Sequence, residues 1–119
     1  MPLKTLLNEL MSRIPGATGA IFADWEGESV AHIAREDSYE LKVIGAHHGI
    51  ILQNLRRATQ RMGGDAVEEV VIGADQLNTV IVAVDSDYFL VLTLSTEQLL
   101  GPARRAAREC AAKLRQEIS

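Results

Sequence analysis

A chain of 119 residues with a formal net charge of −4 has room for one compact domain and lacks the excess of Lys and Arg that a phosphate backbone requires, which excludes a general nucleic-acid role. Its composition, 47% hydrophobic and 24% charged, supports a real core and excludes a chain disordered by composition; with 4% aromatic residues, that core is aliphatic. One cysteine, Cys110, can build neither an internal disulfide nor a multi-cysteine metal site and points to a reducing, cytoplasmic setting.

Pro2 suits a first helical turn, and Leu3, Leu6, Leu7, Leu10 and Ile14 recur on one helical face until Pro15-Gly16 breaks the pattern. Residues 17–24 and 28–34 read as strands joined by Asp24-Trp25-Glu26-Gly27, whose Asp and Gly suit a hairpin turn. Asp37 followed by Glu40 has the form of a capping box, with Ser38 competing for the cap, and the helix that starts there runs to Met62 before Gly63-Gly64. At 1.5 Å per residue its roughly 25 residues make a rod of about 37 Å, close to the diameter of a domain this size. Residues 67–73, 79–84 and 88–94 then form a three-stranded meander, its last two strands apolar on both faces as in a sheet covered on each side. Gly101-Pro102 opens a final helix with Ala103, Ala106, Ala107, Cys110, Leu114 and Ile118 on one face and Arg104, Arg105, Arg108 and Arg115 elsewhere. The order predicts a single α+β domain over residues 1–119, a five-stranded sheet sandwiched by helices. No secretory leader opens the chain and the uncharged run from Val43 to Leu55 is too short to cross a bilayer, so neither secretion nor membrane insertion is expected.

The long helix carries the most information. Leu41, Ile44, His48, Ile51, Leu52, Leu55, Ala58, Thr59 and Met62 share the face expected on the sheet. In the first half the opposite side is also apolar or small, with Val43, Gly45, Ala46, Gly49 and Ile50, whereas the second half turns polar with Gln53, Arg56, Arg57, Gln60 and Arg61. Each mid-helix glycine costs about 1 kcal/mol relative to Ala, which close approach of a neighbouring backbone offsets. A second copy of this helix is the natural neighbour; the alternative is that the glycines make room for a loop of the same domain.

No catalytic constellation emerges. Adjacent His47 and His48 diverge by 100° on a helix and cannot grip one metal, and Cys110 on an alanine face lacks the open, electropositive setting of a nucleophile. Asp75, Asp85 and Asp87 fall in turns, where Asp bonds nearby amides, and the glycines form no phosphate-cradling loop. No cofactor or metal is expected, and an enzyme using His48 and Cys110 has no supporting spacing. Arg56, Arg57 and Arg61 cluster on the outer side of the long helix, either as a solvated face or as forks for carboxylates and phosphates of a partner. Trp25, at a hairpin tip, is either folded back on the sheet or a contact anchor.

Residues 15–34 (PGATGAIFADWEGESVAHIA), 85–94 (DSDYFLVLTL) and 99–105 (LLGPARR), in this order, resemble the opening hairpin, last strand and final helix start of the roadblock family, the dynein light chain roadblock type, whose bacterial members include MglB-type partners of Ras-like GTPases. The resemblance covers nearly the whole chain. It implies a roadblock or profilin-like fold with the long central helix on one face of an antiparallel sheet and the N- and C-terminal helices on the other. It also implies homodimers in which the long helices lie antiparallel and residues 67–73 pair edge to edge. The interface expected here takes Val43, Gly45, Ala46, Gly49, Ile50 and Gln53 from the helix and Glu69 and Val71 from the strand, with Glu68 and Glu69 guarding that edge in a monomer. By the same resemblance the dimer is a non-catalytic platform or activating partner for a small Ras-like GTPase; Arg56, Arg57 and Arg61 are expected as partner contacts from their own chemistry, and no arginine-finger role is carried over to them. The competing expectation is a sensor holding a small molecule between sheet and long helix; the aliphatic sheet-facing residues, with His48 as the main exception, favour the first.

Overall fold

The computed structural model describes residues 2–24, 28–35, 54, 57, 61 and 67–119. Their elements are α1 (Pro2–Arg13), β1 (Ala17–Asp24), β2 (Ser29–Ala34), β3 (Glu69–Gly73), β4 (Asn78–Ala83), β5 (Tyr88–Leu94) and α2 (Leu100–Ile118). The five strands form one antiparallel sheet in the order β2-β1-β5-β4-β3. Because β5 lands between β1 and β4, the hairpin and the meander expected from sequence become one sheet, with β2 and β3 as its outermost strands among the described residues. Three strands differ in their bounds from the sequence reading: β2 and β3 begin at Ser29 and Glu69 and not at residues 28 and 67, while β4 covers Asn78–Ala83 and not residues 79–84. Terminal residues are the ones whose alternation turn chemistry can mimic.

The two-residue period of the strands divides the core cleanly. Ala20, Phe22, Val80, Val82, Leu90, Leu92 and Leu94 face one way and are buried under Leu7, Leu10, Met11 and Ile14 of α1 and Ala103, Ala106, Ala107, Cys110, Ala111 and Leu114 of α2. Placing the N- and C-terminal helices together on one face therefore agrees with the fold expected from the sequence. The alternate residues Ile21, Ala23, Ile81, Phe89 and Val91 form a second buried cluster on the opposite face, with Val67, Val70 and Ile72 packed against it. The long helix expected on that face, from Asp37 to Met62, lies largely outside the described residues; Asn54, Arg57 and Arg61 within it are helical and exposed.

α2 packs close because its buried face is mostly alanine, and Pro102 is accommodated because the first amides of a helix have no partner within it. The two helices are tied at their edges by Arg13–Glu109 at 2.7 Å and Lys113–Glu9 at 3.7 Å. Just past the end of α1, Arg35 donates to the carbonyls of Pro15 at 2.6 Å and Met11 at 2.9 Å, the latter also accepting from the Ile14 amide. The β1–β2 hairpin closes through Asp24, whose amide donates to the Glu28 carbonyl and whose Oδ1 accepts from the Glu28 amide. In the β4–β5 turn, Asp85 Oδ1 accepts from the amides of Asp87 and Tyr88, the turn role expected of it.

Candidate interaction surface

The edge strand β3 concentrates the features that can meet another chain. Its register with β4 pairs Glu69 with Val82, Val71 with Val80 and Gly73 with Asn78. The Ala83 amide donates to the Glu68 carbonyl at 2.9 Å and the Ala74 amide to the Leu77 carbonyl at 3.2 Å, so the even-numbered residues turn their backbone groups toward β4. By alternation, the amides and carbonyls of Glu69, Val71 and Gly73 point to the outer edge of the sheet. Val71 is among the large hydrophobic residues that remain exposed, at 38%, on the side of the sheet that carries α2.

Glu69 is held on that same side. Its Oε2 accepts from Arg104 Nε at 2.9 Å and Nη2 at 2.5 Å, and its Oε1 accepts from Arg108 Nε at 3.0 Å. The Glu69 side chain is only 8% exposed, whereas both arginine side chains remain about half exposed. Burial alone would raise the Glu69 pKa; the hydrogen bonds and charges of Arg104 and Arg108 outweigh it and hold the group below the usual carboxylate range. In turn the Glu69 hydrogen bond and charge raise the pKa of Arg108. The guard role expected of Glu69 is thus taken up within the chain: its carboxylate is committed to α2. Sequence reading missed this clamp, since partners 35 and 39 residues apart leave no local pattern; the only hint was two arginines one turn apart on a helix whose other face is alanine.

Of the other expected interface residues, Val43, Gly45, Ala46, Gly49, Ile50 and Gln53 lie outside the described residues, as do Arg56, Trp25, His47 and His48. Arg57 and Arg61 are each helical and exposed. Cys110 is buried, its Sγ 3.7 Å from the Leu6 carbonyl, and burial pushes its thiol up to about 11, with the charge of Lys113 partly opposing. Such a thiol is a packing group and not a nucleophile. Among the described residues no group of three or more His, Cys, Asp or Glu side chains could hold a metal ion, and no helix is long and apolar enough to cross a membrane. A groove of about 780 Å³ runs between Val67, Glu68 and the β4–β5 turn on one bank and Arg108, Ala112 and Arg115 of α2 on the other. Arg108 there is already engaged by Glu69.

No protein-family model and no curated protein matches the chain. Solved structures do. A Roadblock/LC7 domain from Streptomyces avermitilis superposes with a TM-score of 0.88 at 19% identity, over 97% of this chain and 96% of that one. An MglB with a tetrameric arrangement gives 0.87 at 16% identity, over 96% of this chain and 85% of that one. MglC from Myxococcus xanthus gives 0.71 at 30% identity, over 98% of this chain and 99% of that one. With that identity spread over both chains end to end and the fold of a Roadblock/LC7 domain, the chain belongs to the roadblock family. Within it, the likeness is to the bacterial Mgl-type members.

Proposed function

We propose that residues 1–119 form one roadblock-like domain that acts in the cytoplasm as a homodimer, without catalytic residues or a cofactor of its own, to regulate or scaffold a small Ras-like GTPase. The observation that carries this reading is the combination of roadblock family membership with an outermost strand that, among the described residues, pairs on one side only and whose outward backbone groups and exposed Val71 suit a second strand. The tetrameric arrangement of one MglB neighbour supports self-association. In this reading Val43, Gly45, Ala46, Gly49, Ile50 and Gln53 of the long helix and Glu69 and Val71 of β3 form the self-contact, and Arg56, Arg57 and Arg61 meet the GTPase. Arginine suits that task, because its planar fork matches carboxylates and phosphates.

The test is capture of small Ras-like GTPases from the same genome on the immobilised chain, each loaded in parallel with GDP or a non-hydrolysable GTP analogue. Retention of one of them in its GTP form is expected, and the hydrolysis rate with and without the chain then separates an activator from a platform. Equal failure of every such GTPase in both nucleotide states rejects the GTPase partner.

A further inference from the structure

We infer that Arg104 and Arg108 are positioning residues for self-pairing of β3: by gripping Glu69 against α2 they neutralise a carboxylate that a second copy's strand would enclose, leaving Val71 as the apolar contact at the seam. The inference rests on the homodimer reading above and adds to it a device that no residue of the seam supplies alone.

Outward backbone groups on Glu69, Val71 and Gly73 restrict an added antiparallel strand to hydrogen bonds with these residues. For a second copy of the same strand, a twofold axis through Val71 sets Val71 opposite Val71 and Glu69 opposite Gly73, so that no like charges face each other directly. Both valines and both Glu69 side chains then lie on the α2 side of the joined sheet, where closure of the seam removes water. An ionised carboxylate losing water is costly unless paired, and Glu69 arrives already paired by three hydrogen bonds from two arginines. The same contacts draw the Glu69 side chain inward over the sheet, as its 8% exposure records, and away from the position the second strand must occupy.

The test compares the dimer dissociation constants of the wild-type chain, R104Q/R108Q and R104Q/R108Q/E69Q by sedimentation equilibrium, with circular dichroism confirming that each is folded. R104Q/R108Q, which leaves Glu69 ionised and unpaired, is expected to dissociate at least tenfold more readily than wild type. Removing that carboxylate in R104Q/R108Q/E69Q is expected to restore the constant to within about threefold. If the arginines only brace α2 against the sheet, the third change rescues nothing, and that result overturns the inference. A wild-type dimer unaffected by R104Q/R108Q overturns it too while leaving the dimer reading intact. A wild-type chain that stays monomeric overturns both.

Discussion

Cys110 and Gly16 show how single atoms set limits on this fold. The Cys110 thiol is raised from about 9.0 to about 11 by burial, so it is protonated in folded and unfolded chains alike below about pH 9, and its contribution there is complete. Between about pH 9 and 11 the unfolded chain releases a proton that the folded chain retains, and stability falls, by an amount on the order of 2 kcal/mol. C110A is expected to remove that part of the alkaline loss, read as a smaller drop in the urea midpoint between pH 8 and pH 10.5 than wild type shows. Gly16 is fixed by space: a Cβ there would lie 2.6 Å from Gln98 Cβ, while its amide donates to Gln98 Oε1 and its carbonyl accepts from the Ser95 amide. G16A must push the 95–98 turn away and is expected to cost about 1–3 kcal/mol in denaturant unfolding.

At the scale of elements, the alanine face of α2 determines how near that helix lies to the sheet. Ala106 is 1% exposed and has no room to grow, so A106L is expected to destabilise by about 1–3 kcal/mol despite adding apolar surface, with a lower thermal midpoint as the readout. These elements were legible in the sequence for physical reasons. Leucines at helical spacing gave α1, alternation bounded by Gly and Asp gave the strands, and an apolar run on both faces of residues 79–94 announced a sheet covered twice, as the two buried clusters bear out. The Glu69 clamp and the Arg35 contacts were illegible because each joins elements distant in sequence, and a surface arginine carries no periodic signal of which carboxylate or carbonyl it will meet. Strand order was equally silent: only the fold shows that β5 inserts between β1 and β4 and leaves β3 at the edge.

At the scale of the whole molecule, incomplete burial governs. A sheet edge with outward backbone groups at Glu69, Val71 and Gly73 is a template for another strand, and the long helix expected from the sequence, with Gly45 and Gly49 on its second apolar side, is proposed to bring the copies together. G49E would set a charge in that close contact, and light scattering is expected to show it as monomer or as insoluble protein; an unchanged dimer would remove Gly49 from the interface. The measurement that bears most directly on the central claim is the mass of the purified wild-type chain in solution across a dilution series. A species of twice the 13.0 kDa of one chain, persisting at micromolar concentration, is the expected result; a single chain mass at every concentration would contradict the account.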